Sequence, residues 1–218
     1  MRKFTIALIA IFFGLVLLGK AQTTIDDVRN KLIFGAKAGA NISNVYDERG
    51  QDFKANPKIG MAGGVFLGIP IGKYIGIQPE VLFSQKGYQS TGVLLGNTYS
   101  DIRTTSFLDV PLQIQFKPAE FITFLGGVQY SYLLHQKDVF VFGLNSTAQD
   151  QEFKNDNIRK NICSAVFGID INIDHFIISG KGCWDLQDNN GNGSSYTPRY
   201  KNIWLQVTVG FRLYRLNK

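Results

Sequence analysis

The chain has 218 residues, a length that suits one domain and allows two. Hydrophobic residues make up 44% and charged residues only 18%, against about 25% charged in an ordinary soluble domain, which excludes a disordered charged tail. Two cysteines exclude a disulfide-stapled mini-domain, and a mean hydropathy of -0.02 is too low for a bundle of apolar membrane helices.

Met1-Arg2-Lys3 is a basic start, and an apolar run of 15 residues follows from Phe4 to Leu18. As a helix that run spans ~22 Å, short of the ~30 Å hydrocarbon core. Gly19-Lys20-Ala21 then offers small residues at the two positions a signal peptidase reads. The pattern predicts a secretory signal over 1–21 with cleavage before Gln22; a tilted anchor is the alternative. The leader holds Arg2, Lys3 and Lys20 and no acids, so the formal +6 falls to 20 basic against 17 acidic residues, or +3. The basic balance thus belongs partly to the leader, and no nucleic-acid partner is expected. Residues 22–31 read as a short periplasmic segment and 32–218 as the folded domain.

From residue 32 onward apolar residues recur at every second position in eight stretches, the mark of strands with one apolar face. They lie near 32–45, 57–69, 74–87, 100–117, 121–134, 157–172, 175–187 and 200–214. In the third, Ile75, Ile77, Val81 and Phe83 oppose Gln78, Glu80, Ser84 and Lys86. The fourth sets Leu108, Val110, Leu112, Ile114 and Phe116 against Asp109, Gln113, Gln115 and Lys117. The last puts Ile203, Leu205, Val207, Val209, Phe211 and Leu213 on one face and Trp204, Gln206, Thr208 and Arg212 on the other.

The connections alternate in length. Long ones are read at 46–56, 88–99, 135–156 and 188–199; short ones at 70–73, 118–120 and around Asp174. Short periplasmic turns, longer external loops and an even strand count describe an antiparallel up-and-down barrel in an outer membrane. A soluble lipocalin-type barrel also has eight strands, but its exterior needs many Lys and Glu. Here the polar faces are mostly Gly, Asn, Gln, Ser and Thr, which suits a closed wet interior. Aromatics gather at the ends of the apolar faces, with Phe34, Phe116, Phe176 and Phe211 low and Phe83, Tyr130, Tyr132 and Trp184 high. The expected fold is therefore an all-β, eight-stranded, closed transmembrane barrel with outer-membrane lipid as its first partner.

Four strands carry a recognisable order of residues. Gly35-Ala36-Lys37-Ala38-Gly39-Ala40-Asn41-Ile42-Ser43 precedes a Gly-rich strand ending Gly68-Ile69-Pro70-Ile71. Ile77-Gln78-Pro79-Glu80-Val81-Leu82-Phe83-Ser84-Gln85-Lys86-Gly87 and Phe107-Leu108-Asp109-Val110-Pro111-Leu112 follow. This order resembles the PorT-like outer-membrane barrels, often labelled the porin family, over most of the mature chain. The resemblance implies a β-barrel with no known catalytic residues, some members of which are tied to a protein-secretion apparatus. The end departs from the common terminal aromatic, since Arg215-Leu216-Asn217-Lys218 follow Tyr214.

By parity Lys37, Glu80, Asp109, Lys117, Asp170, Lys181 and Arg212 point into the lumen. An eight-stranded barrel is just wide enough for side chains to fill, so these charges are expected to pair and plug it. Glu80 and Asp109 sit at similar height on neighbouring strands, so a cation, Lys37 or Arg212, is expected between them. Pro79 and Pro111 cannot donate ladder hydrogen bonds, and a bulge or wide-pair position is expected there. A tight turn at Ile173-Asp174 sets Cys163 opposite Trp184, on the lipid face, and Cys183 opposite Ser164, in the lumen; free thiols follow.

His135 and His175 lie at opposite ends of the barrel, and no catalytic residues, metal site or cofactor are expected. Asp188-Asn189-Asn190-Gly191-Asn192-Gly193 loosely resembles a calcium loop without its closing Glu, and a solvated loop is the better reading. Val139-Phe140-Val141-Phe142 is an apolar patch that either extends the fifth strand beyond the membrane or docks a partner, such as another envelope protein. The function expected is structural or interactive, with a narrow solute channel as the alternative and a lipid-modifying enzyme or soluble carrier behind it.

Overall fold

In the computed structural model the described residues are 28–49, 55–94, 97–142, 145–151, 158–189 and 199–213. The leader over 1–21, the tail after Leu213 and positions 190–193 of the calcium-like loop lie outside them. Nine strands are described: β1 (Ile33–Arg49), β2 (Ala55–Pro70), β3 (Ile75–Leu94), β4 (Asn97–Ala119), β5 (Ile122–Phe142), β6 (Asn145–Gln151), β7 (Asn161–Ile173), β8 (Phe176–Asp185) and β9 (Arg199–Leu213). Eight form the ring β1-β2-β3-β4-β5-β7-β8-β9, each antiparallel to its neighbours, and β9 returns to β1 from Phe34↔Leu213 to Tyr46↔Lys201. The ninth, β6, pairs with the outer part of β5 alone, from Gln136↔Gln151 to Phe142↔Asn145.

The alternating pattern is realised with its faces turned out. Val207 is 45% exposed and Val209 55%, while Trp204, Gln206 and Thr208 between and beside them are buried. The same holds on β4, where Leu112, Ile114 and Phe116 face outward and Asp109, Gln113 and Gln115 inward. A soluble barrel would have the opposite arrangement, so the exterior matches hydrocarbon rather than water. Phe34, Phe116, Phe176 and Phe211 are exposed near the short-turn end, and Phe83, Tyr130 and Tyr132 near the other. Several pair across strands: Phe176 meets Phe211 edge-on at 5.4 Å, and Trp184 stacks on Phe167 at 5.5 Å.

The strands outrun their sequence signal at one end. The expected loop at 88–99 is an extension of the β3–β4 hairpin, paired up to Leu94↔Asn97, and much of 135–156 is the β5–β6 hairpin. The reason is environmental. Beyond the hydrocarbon both faces of a strand meet water or polar neighbours, so the period-2 apolar signal stops where the membrane stops, while backbone pairing continues. The Val139–Phe142 patch is part of this extension. Val139 pairs with Ile102 and Phe140 with Asp101, so successive patch residues alternate between the two faces of the sheet rather than forming one surface.

Two local expectations need correction. Of the two alternatives expected at Pro79 and Pro111, the bulge is not realised: bridge partners are missing between Phe66↔Glu80 and Ile69↔Ile77, and between Pro79↔Leu112 and Leu82↔Asp109, yet the register is unchanged across both gaps. The lost donors simply thin the ladder. Register shifts occur instead at Pro57/Ala62, Ser106/Phe107 and Tyr46/Arg49 on the outer half. The β7–β8 turn centres on Asp174-His175, with Asp174 at φ 48°, so Cys163 and Cys183 are displaced by two positions from the expected pairing. Val166 faces Cys183 and Ala165 faces Trp184; Cys163 is exposed, Cys183 buried, and both thiols are free.

Gly87 lies between Ser84 and Tyr88, where the register of β3 against β2 shifts. Its φ is 147°, and an added Cβ would lie 2.0 Å from the Arg103 carbonyl oxygen, so a side chain fits neither the backbone nor the space. At the short-turn end a single 3-10 turn, Val28–Asn30, folds against the rim with Val28 buried. Lys117 Nζ donates to the Arg29 carbonyl at 2.6 Å, and Arg29 donates to the Pro118 carbonyl at 3.4 Å.

An arginine at Val207, mid-belt on β9, is expected to cost about 2–4 kcal/mol of stability on refolding into lipid vesicles. At Leu213, near the rim, the same change should cost about 0–1 kcal/mol. Equal costs at both sites would contradict the lipid-facing assignment of β9.

Candidate functional site

The lumen is where the chain concentrates its polar chemistry. Lys37, Glu80, Asp109, Lys117, Asp170, Lys181 and Arg212 are all buried inside the ring. They do not form one network but three levels, because each strand contributes one inward residue about every 7 Å.

The middle level is built on Glu80. Its Oε1 accepts from Lys181 at 2.7 Å, Lys37 at 2.8 Å, Gln78 at 2.6 Å and Gln113 at 3.0 Å. Four donors from β1, β3, β4 and β8 thus converge on one carboxylate oxygen and tie opposite walls of the barrel together. Above it, Lys86 donates to Asp109 at 3.1 Å and to Ser131 at 3.3 Å. Its ammonium also lies 3.8 Å from the Trp204 ring centroid and 4.5 Å from that of Phe107, a cation held by two π faces. The cation expected between Glu80 and Asp109 is therefore not shared. Glu80 takes Lys37 and Lys181, Asp109 takes Lys86, and Arg212 serves neither.

Lys86 and Asp185 are the lumen charges that parity reasoning did not single out. Lys86 was visible on the polar face of the third strand; its pairing was not, because Asp109 comes from another strand at a height only the register sets. Asp185 accepts from Ser164 at 2.7 Å and from the Asn202 amide at 2.6 Å. Asn41 links Ser84 at 2.8 Å and Gln206 at 3.1 Å. Neutral amides and hydroxyls thus add bonds around the charges, while Glu80 Oε2 and Asp109 Oδ2 are buried without a hydrogen-bond partner among the described residues.

The outer level lies five residues beyond the exposed Phe83 and Leu108, outside the apolar belt. Arg103 holds Asp138 with two bonds of 2.8 Å, donates to the Tyr200 hydroxyl at 3.3 Å, and lies over the Tyr88 ring at 5.8 Å. Tyr88 and Tyr200 meet edge-on at 5.3 Å, and Val45 packs beneath them. Burial pushes the Tyr88 phenol well up, with Tyr200 adding to it. Burial opposes the Arg103 charge, but Tyr200, Asp138 and Tyr88 outweigh it and hold the guanidinium above its ordinary value. Burial also raises the Asp101 carboxyl; Arg103 opposes the rise and Asp138 adds to it. This aromatic and ionic layer crosses the external mouth.

Lys86 and Ser131 have the spacing of a base and a nucleophile, but both are at most 1% exposed, so no substrate reaches them. His135 is exposed on outer β5, and His175 Nδ1 donates to the Arg212 carbonyl at 3.0 Å, at the other end. Among the described residues no three His, Cys, Asp or Glu side chains are placed to hold a metal ion.

The family model described as "Outer membrane protein beta-barrel domain" matches residues 20–191. The chain belongs to this family. It is an outer-membrane β-barrel protein, and the bilayer's lipid surrounds its apolar belt. Solved structures similar to this barrel include Ail, the attachment invasion locus protein of Yersinia pestis, at 14% identity and a TM-score of 0.48, covering 84% of this chain and 99% of that one. OprG from Pseudomonas aeruginosa is 11% identical with a TM-score of 0.40, covering 85% and 97%. Neisserial surface protein A is 9% identical with a TM-score of 0.40, covering 83% and 96%. No curated protein sequence matches the chain.

Replacing Glu80 by Gln would strand Lys37 and Lys181 beside a neutral amide. The expected loss is about 3–5 kcal/mol in a urea unfolding series on the refolded barrel. Converting Lys181 to Met in the same chain should recover part of that loss. An unchanged midpoint for Glu80→Gln would show that the four-donor junction does not hold the barrel together.

Proposed function

We propose that this outer-membrane barrel is a non-enzymatic structural and interaction protein of the PorT-like kind, whose lumen is a plug and whose external sheet meets other envelope proteins. The observation that carries the reading is the extension of β3, β4, β5 and β6 beyond the apolar belt as one continuous sheet. A barrel that served only as a plug in the bilayer would end at its rim. Here the extension is long, paired throughout, and carries Phe140 at 41% exposure above the mouth. The link to a protein-secretion apparatus comes from the Pro-Glu…Ser-Gln-Lys-Gly and Asp-Val-Pro-Leu strands and from the family resemblance they carry.

The closed lumen supports the plug over the narrow-channel reading. The Glu80 junction spans the middle, and Arg103, Asp138, Tyr88 and Tyr200 fill the outer mouth. In planar bilayers the purified barrel is expected to give no steps above the detergent blank; stable steps would favour the channel. For the interaction, a photo-crosslinker at Val141 in intact cells should give discrete protein adducts that disappear when Val139 becomes Asp and the barrel still runs heat-modifiably. A folded, surface-exposed barrel without adducts would remove the support for a partner on this sheet.

A further inference from the structure

Five polar atoms in the middle of the lumen are buried with no hydrogen-bond partner among the described residues: Glu80 Oε2, Asp109 Oδ2, Gln113 Oε1, Trp204 Nε1 and Thr208 Oγ1. Their residues are at most 2% exposed. The first three stand on one wall. Pro79↔Leu112 and Leu82↔Asp109 bracket Glu80 and set it opposite Pro111, so Asp109 and Gln113 flank it on β4. Trp204 and Thr208 stand on β9. Thr208 lies between Gln206 and Gly210, the partners of Lys181 and Lys37, which are the two lysines that Glu80 holds. Trp204 and Asp109 both meet Lys86, whose ammonium lies 3.8 Å from the indole centroid and 3.1 Å from Asp109 Oδ1. The five atoms therefore fall into two groups, one at each ion-pair level.

Their chemistry selects the ligand. Carboxylate and amide oxygens only accept, an indole N–H only donates, and a hydroxyl does both. A metal cation offers nothing to the Trp204 N–H, and an anion is repelled by Glu80 and Asp109. Glu80 already holds two ammonium groups and Asp109 one, so a further cation meets no unmatched charge there. Only a small neutral molecule that both donates and accepts serves the whole set. We propose that the middle of the lumen binds structural water at two sites, one joining Asp109 Oδ2 to Trp204 Nε1 and one joining Glu80 Oε2, Gln113 Oε1 and Thr208 Oγ1. Buried waters usually make about three hydrogen bonds to polar groups that lack other partners, as the Glu80 site provides. Pro111, the buried residue between Asp109 and Gln113, reaches less far into the lumen than the glutamine beside it. The waters bond β9 to the β3–β4 wall, so the plug is a hydrated one.

The test is a crystal structure of the full-length barrel at atomic resolution, with a second crystal soaked in rubidium chloride. Solvent density within hydrogen-bond reach of both groups, without a rubidium anomalous peak, is expected. Absence of density at either site, or an anomalous peak at either, would overturn the proposal. Thr208→Val gives an independent reading, because it removes the hydroxyl at nearly constant shape. A dry, stranded hydroxyl is better lost, and the urea midpoint of the refolded barrel would rise. A hydroxyl bonded to water leaves that water short of a partner, so a lower midpoint is expected. A raised or unchanged midpoint would overturn the water site at Glu80.

Discussion

Hydrocarbon offers a backbone no hydrogen-bond partners, and every other feature of this protein follows from that. Each strand within the bilayer must have a neighbour on both sides, so the sheet has to close, and β9 must find β1 across nearly the whole length of the chain. Closure at eight strands leaves an interior that side chains can fill. The same solvent inverts the usual assignment of faces. Apolar residues are drawn to the outside, and the polar residues, with nowhere else to go, become the core.

A polar core must satisfy itself. Hydrophobic packing contributes little between strands already bathed in lipid, so the walls are tied by bonds such as the four that meet at Glu80 Oε1 and the pair that Lys86 makes with Asp109 and Ser131. Such ions are expensive to bury, which explains the many Gln, Asn and Ser side chains around them. Aromatic rings do part of that work at Lys86, where Trp204 and Phe107 cover the ammonium. The apolar clusters are small and lie in the outer half, where Val45, Tyr88 and Tyr200 close the mouth.

Legibility from sequence tracked the lipid. Strands within the bilayer announced themselves, because lipid on one side and a wet lumen on the other force a period of two; β9 and lower β4 are the clearest cases. Outside the bilayer that contrast fades, so Tyr88–Leu94, Asn97–Tyr99 and all of β6 read as loop although they are strand. Parity also found the inward charges, since it needs only one strand at a time. It could not pair them. Which carboxylate meets which lysine depends on register between strands that lie far apart in the chain, such as Glu80 and Lys181. The cysteine positions show how sensitive this is, for a turn centred on Asp174-His175 instead of Ile173-Asp174 moved the pairing by two residues.

The sequence by itself determined the fold class, the outer-membrane character of the chain, the bilayer-facing set of residues and the closed strand count, because each depends on composition or on a period carried within one segment. Tertiary structure alone decided the partners of the buried charges, the filling of the outer mouth and the external four-stranded sheet. Those features arise where residues from several strands reach one height, and height is set by the shear of the closed ring, a quantity that no single stretch of chain contains.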